Sequence, residues 1–277
     1  RLLGGDRRFS FDDWARTTMD RRVWLADTAL APLLAELDRF ARAYPGRTLG
    51  VRALADTLRA WDRVSDTTSV ATTLFVHWAR EMTFGRVPPH DSAWRQVIAL
   101  ERARDSLYAA WRAWTVPWGQ VNRIQRVDAS GEQPFDTLRR SWAAPGIDGS
   151  VGIIMNLTTT PNATPARDGA SRTTARRRWG VAGNSYVGIV HFAPRVEARS
   201  LLAFGQSADS TSRHHVDQAP LYVSGGYKPA WWYADEVQRN ALRAYHPGGR
   251  DLPRATVPGW AKRAPAIAAR RVASIDR

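Results

Sequence analysis

The sequence predicts an α+β chain, a helical first half followed by antiparallel strands, and three observations carry that prediction. Residues 1–116 place apolar side chains at three- and four-residue spacing, the pattern of helices with one buried face. Pro117-Trp118-Gly119 then punctuates the chain. Beyond it the apolar runs shorten to strand length between polar loops, and helical spacing returns only over 234–245. With 277 residues, 44% hydrophobic and 10% aromatic, there is ample material for a packed core. The organisation expected is residues 1–248 as one unit (1–116 mainly helical, 117–248 strands plus a terminal helix) and 249–277 as a basic, disordered tail.

Each element has its own justification. Ser10 is a good N-cap with Asp13 three residues on, and Phe9 with Trp14 can staple the first helix. From Arg22 to Ala43, Val23, Leu30, Leu33, Leu34, Leu37 and Phe40 fall on one face, with a break or kink expected near Pro32. Thr48 caps a third helix presenting Val51, Leu54, Leu58 and Trp61. A fourth starts near Ser69 with Leu74, Phe75, Trp78 and Met82. Asp91 opens a fifth that uses Trp94, Val97, Ile98, Leu107, Trp111 and Trp114. Core packing accounts for these stripes without any functional claim. Val121–Val127 and the apolar Val151–Leu157 read as strands, while Asp128–Gly149 and Thr158–Gly183 read as long polar loops. Ser185–Phe192 and Ser200–Phe204 form an antiparallel hairpin across the Pro194 loop, and a last helix runs from Ala234 to Tyr245 before His246-Pro247-Gly248-Gly249. The strands are expected to complete a larger sheet.

Composition excludes several classes. There is no cysteine, hence no disulfide framework and no thiolate metal site. That usage suits a periplasmic or secreted bacterial protein. No run reaches the length of a membrane helix. The net charge of +14 is carried by arginine; only Lys228 and Lys262 are lysines. Most arginines stand beside acids on helical patterns, as in Glu101-Arg102-Ala103-Arg104-Asp105. Denser runs occur at Arg172–Arg178 and in the tail from Gly249, which leaves a basic helical binding protein as the alternative function. A solvated loop and a chain end are the plainer readings, and neither nucleic acid nor membrane is expected as a partner.

The chemistry-bearing residues cluster between Asn184 and Gln218. Ser185 follows Gly183-Asn184, as a nucleophile after an autocleavage point would, but it also opens an apolar strand. Gly205-Gln206-Ser207 ends the hairpin and leads through a polar loop to His214, His215, Asp217 and Gln218. His214, His215 and Asp217 offer a metal site, or a triad with Ser207 or Ser212. Adjacent loop histidines point apart, however, and no helical histidine spacing exists. Gln206, Asp217 and Gln218 are expected to organise the loop by side-chain hydrogen bonds to backbone. Asp12/Asp13 and Glu101/Asp105 read as a helix cap and a solvated helix face rather than as a glycosidase pair.

Taken in order, these motifs resemble the penicillin acylase family, including its acyl-homoserine-lactone and aculeacin branches. The resemblance covers about residues 1 to 248 and points to the C-terminal part of the family's β chain. Phe9-Ser10-Phe11-Asp12-Asp13, Leu58-Arg59-Ala60-Trp61-Asp62, Trp118-Gly119-Gln120-Val121-Asn122-Arg123, Gly183-Asn184-Ser185 and Gln206 to Gln218 are each similar to a family motif in its place. Of these, the Gln206–Gln218 loop is the most specific. The resemblance implies an N-terminal-nucleophile hydrolase, a four-layer αββα sandwich that cleaves the amide of an N-acylated small molecule. In such enzymes a terminal serine attacks and its own α-amine, with a pKa near ~8, serves as base. The family places that serine, an asparagine oxyanion donor and most calcium ligands ahead of the segment matched here, and this chain begins with Arg1. No catalytic residue, no metal ligand and no cofactor is therefore assigned within it. The resemblance implies that it is inactive alone and that its partners are the upstream α chain and the front of the β chain.

Overall fold

In a computed structural model of the chain, residues 4–5, 8–85, 94–127, 135, 139–161 and 176–241 are described. Helix α1 (Phe11–Thr17) starts where Ser10 closes a reciprocal box. The Asp13 amide donates to Ser10 Oγ, and the Ser10 amide donates to the Asp13 carboxylate, both at 3.1 Å. Phe9 meets Trp14 edge-on at 5.7 Å. Helix α2 (Trp24–Ala43) begins two residues later than the periodicity predicts, and Pro32 does not break it. Its Leu30, Leu33, Leu37 and Phe40 are buried. Helix α3 (Thr48–Arg59) starts at Thr48 itself, so that residue is the first helical position rather than the cap. Helix α4 (Val70–Phe84) takes Ser69 as its N-cap, accepting from the Thr72 amide at 3.0 Å. Helix α5 spans Arg95–Trp111. The cap expected at Asp91 lies outside the described residues.

The second half departs further from expectation. The strand expected over Val121–Val127 is a short turn of helix, α6 (Trp118–Val121), and then three residues of strand, β1 (Asn122–Ile124). The cause is local: the Trp118 and Gly119 amides are tied to Ser69 O and Thr67 O at 3.1 and 2.7 Å, which winds the chain before it can extend. The apolar run Val151–Leu157 is not a strand up to its last residue. Residues Gly149–Val151 form a 3-10 turn, and Gly152 turns the chain at φ +69°. Its carbonyl accepts from the Trp24 amide, and the Met155 amide donates to Asp20 O. These backbone groups are satisfied by the helical half, so no strand ladder is needed, while Val151, Ile153 and Met155 still fill the core.

Both stretches expected as loops contain strands: β2 (Trp142–Ala143) in one, and β3 (Leu157–Pro161) with β4 (Arg178–Gly183) in the other. They join β1 in a sheet of order β2-β1-β4-β3. The β1–β4 pair is parallel, so this sheet is mixed rather than purely antiparallel. The expected hairpin forms as β5 (Tyr186–His191) with β6 (Glu197–Leu202), Tyr186 opposite Leu202 and His191 opposite Glu197. With β7 (Lys228–Pro229) it makes a second sheet, β5-β6-β7. Helix α7 (Ala219–Ser224) was not anticipated, and α8 spans Ala234–Asn240. The predicted extension of α8 to Tyr245, and the tail, lie outside the described residues. One core cluster runs from Leu33 and Phe75 of the helices through Trp118, Ile124 and Met155 to Leu201 and Tyr222. The chain is α+β. The point where the backbone leaves the first sheet for the second, at Gly183-Asn184-Ser185, lies at the end of that core.

Candidate functional site

The crossing between the sheets is fixed by two asparagines. The Asn184 amide donates to Asn156 O at 3.1 Å, and the Asn156 amide donates to Asn184 Oδ1 at 2.8 Å. Between them the chain must turn at Gly183, with φ +147° and room for no side chain: a Cβ there would lie 2.3 Å from Asn156 O. Ser185 then opens the second sheet, its carbonyl accepting from the Ala203 amide at 2.8 Å. Its side chain is exposed, with no hydrogen bond among the described residues. A small cleft of about 120 Å³ sits at this junction, lined by Ile124, Leu157, Asn184, Ser185, Phe204 and Tyr222. The Tyr222 hydroxyl donates to Asn156 O at 3.4 Å, and burial pushes its pKa up to about 12, so it stays protonated.

The loop after β6 is held at both ends. Gln218 is buried at 3% exposure, and its Oε1 accepts from the Leu202 amide at 2.9 Å. Gly205 lies against the returning chain, where a Cβ would approach His214 O to 2.3 Å. Arg126, which sequence reasoning passed over, clamps that return by donating to Gly205 O at 3.2 Å and to His215 O. Asp217 pairs with His214 Nδ1 at 2.7 Å. Gln206 is exposed and its side chain has no partner among the described residues, contrary to the role expected for it.

The geometry brings His214 and Asp217 together but not with a nucleophile. The second ring nitrogen of His214, Nε2, is occupied by the Arg213 Nε donor at 3.0 Å. Ser207 Oγ accepts from the Asp209 amide, and Ser212 Oγ accepts from the His214 amide, both at 3.2 Å. The nearby His215 Nδ1 faces Ser207 O at 3.2 Å. These are the contacts of a folded loop, not of an activated serine. Among the described residues no three His, Asp or Glu side chains converge on a point that could hold a metal ion. Nor is the arginine run 176–178 a basic patch throughout, since Arg178 is buried at 8% exposure as the first residue of β4. Among the described residues no helix is long and apolar enough to cross a membrane.

The penicillin amidase family model matches residues 1–239. An acyl-homoserine lactone acylase, PvdQ, from Pseudomonas putida is 25% identical over 238 residues, covering 80% of this chain. The chain spans 28% of that relative's length. A solved structure of a thermostable penicillin G acylase from Alcaligenes faecalis matches at 18% identity with a TM-score of 0.41, over 79% of this chain and 46% of that one. The motif order from α1 to the Gln206–Gln218 loop and the family match over most of its length lead to one conclusion: the chain belongs to the penicillin amidase family.

Proposed function

We propose that this chain is the C-terminal part of the β chain of an exported bacterial N-acyl amide hydrolase, of the penicillin and acyl-homoserine-lactone acylase type. The match of the family model over residues 1–239 carries the reading. Attack on the linear amide comes from a terminal serine on a segment preceding this one. Its hydroxyl proton passes to its own α-amine, and the leaving amine takes a proton as the acyl-enzyme forms. Water then releases the acid. This chain supplies the frame: two sheets joined at Gly183-Asn184-Ser185 and a loop tied down by Arg126, Asp217 and Gln218. The engaged oxygens of Ser207 and Ser212 and the doubly occupied His214 ring support that division of labour. The relative's activity makes acyl-homoserine lactones the first substrates to try, with penicillin G beside them.

The test is hydrolysis of both substrates and of a chromogenic anilide by the purified chain, alone and co-produced with the upstream portion of its precursor. The expected result is no turnover alone and turnover in the co-produced assembly. Turnover by the chain alone that disappears in Ser185→Ala or Ser207→Ala would overturn the reading.

A further inference from the structure

The first sheet ends unevenly where the chain crosses to the second. Strand β1 pairs with β4 at Arg178 and Trp179 and stops at Ile124. Beyond it, Arg126 turns to the loop after β6 and donates to Gly205 O at 3.2 Å. Strand β4 continues to Gly183. Against β3, Ala182 lies opposite Thr158 and Gly180 opposite Thr159, so Val181 between them is an extra residue without a partner. Bulges of this kind re-aim a side chain, and Val181 is 55% exposed. Among the described residues, Val181, Ala182 and Gly183 have a neighbouring strand on the β3 side alone, and all three are exposed.

The cleft of about 120 Å³ lies at this step. Residues Val181 to Gly183 form one wall, and Ile124, Leu157 and Phe204 bring apolar side chains to it. An apolar cavity of roughly 150 Å³ takes up benzene, so this one has room for a single leucine- or phenyl-sized group. None of its lining residues is charged. Two of its polar side chains are already engaged: Asn184 Oδ1 accepts from the Asn156 amide at 2.8 Å, and the Tyr222 hydroxyl donates to Asn156 O. The exposed Ser185 hydroxyl has no hydrogen bond among the described residues. The cleft thus selects a neutral, apolar group, and beside that group it presents the amides and carbonyls of a strand edge. Extended main chain matches such an edge while its side chain enters the adjacent pocket.

We propose that this cleft is a docking site for the upstream part of the same precursor. An extended segment lies along Val181–Gly183 and seats one leucine- or phenyl-sized side chain between Ile124, Leu157 and Phe204. The inference rests on the reading of this chain as the C-terminal part of a longer acylase, since it spans 28% of the curated relative it matches. A small molecule would fill the pocket but leave the strand edge unpaired, whereas a polypeptide segment satisfies both.

The test is photo-cross-linking of the co-produced assembly carrying Val181→p-benzoylphenylalanine, at a position whose exposure tolerates a large side chain. Irradiation should join this chain to the upstream portion, with the linked peptide identified by mass spectrometry. A second readout uses the absence of cysteine from the chain. Ser185→Cys gives the chain a single thiol, at the cleft. N-ethylmaleimide should modify that thiol at least about tenfold more slowly in the assembly than in urea. Cross-links that join two copies of this chain, or no cross-link in an assembly that forms, would overturn the inference and leave the acylase reading standing. So would alkylation of Ser185→Cys within about twofold of the unfolded rate. If no assembly forms on co-production, the acylase reading fails and the inference fails with it.

Discussion

Gly183 shows how a single residue sets the geometry of the junction. Its backbone turns at φ +147° with the Asn156 carbonyl where a Cβ would go, so even the smallest side chain meets main chain that the Asn156–Asn184 pair holds in place. Gly183→Ala should therefore cost about 2 kcal/mol or more, read by urea unfolding of the co-produced assembly. A cost under about 0.5 kcal/mol would mean the junction is softer than this account allows. Glu36 is a different case, a carboxylate 5% exposed on the buried face of α2 with Oε1 unpartnered. Burial raises its pKa above 4.5, against a backbone hydrogen bond from Gln96 that lowers it. The unfolded chain thus loses the proton at lower pH than the folded one. The stability associated with Glu36 is fully present below about 4.5 and is lost as pH rises through the folded value. Glu36→Gln should match the wild type at acidic pH and be more stable at neutral pH; an advantage that did not grow across that window would count against the assignment. Neither Asn156 nor Arg126 was legible in the sequence. Their partners are carbonyls and amides distant in the chain, and no residue pattern announces which backbone group a side chain will meet. Gly183 and Gly205 were legible as parts of motifs, although the steric reason for each needed the fold.

At the scale of elements, helices were read well and strands poorly, for a reason visible in particular residues. A helix face repeats over several turns, so Leu30, Leu33, Leu37 and Phe40 specify α2 without knowledge of its neighbours. Strands β3 and β4 carry Thr158, Thr159 and Thr160 opposite Ala182, Gly180 and Trp179, a polar and small set that reads as loop until pairing is known. The reverse error occurred at Val151–Met155, where apolar side chains and strand-like alternation coexist with backbone groups bonded to Trp24 and Asp20. Alternating burial is necessary for a half-buried strand but does not provide its ladder. Pro32 is the exception among the helices. It sits inside α2, exposed, where the missing amide leaves the Thr28 carbonyl without its helical donor. Interior proline costs about 3 kcal/mol in a helix, and its restriction of the unfolded chain returns less than about 1 kcal/mol. Pro32→Ala should accordingly stabilise the fold by about 2 kcal/mol in urea unfolding of the co-produced assembly. A destabilising result would place Pro32 in a contact with a partner surface that this chain alone does not present.

For the whole molecule the balance lies between apolar surface and charge. Among the described residues strand β5 has a partner on one side only, so its other side is an open edge of the second sheet. Around β5 the exposed side chains include Tyr186 at 65%, Val190 at 46% and Phe192 at 87%, with Trp232 at 75% beyond β7. An unpaired edge beside apolar side chains is a template for association with another chain. The net charge of +14 opposes that association by repulsion, but charge acts over the whole surface and is screened by salt, whereas edge pairing is local. The edge should therefore decide the outcome at physiological ionic strength. Since the chain spans 28% of the curated relative it matches, we propose that the β5 edge pairs with a strand of the upstream part of the same precursor. Expressed alone, residues 1–277 should aggregate or unfold without cooperativity, and increasingly so as salt is added. Co-production with the upstream portion should yield a soluble, cooperatively melting assembly, and removal of 249–277 should leave that rescue intact. Size-exclusion chromatography and calorimetry of the two preparations make the comparison direct. A soluble monomer of residues 1–248 that unfolds in a single cooperative transition without any partner would show that the β5 edge is protected within this chain.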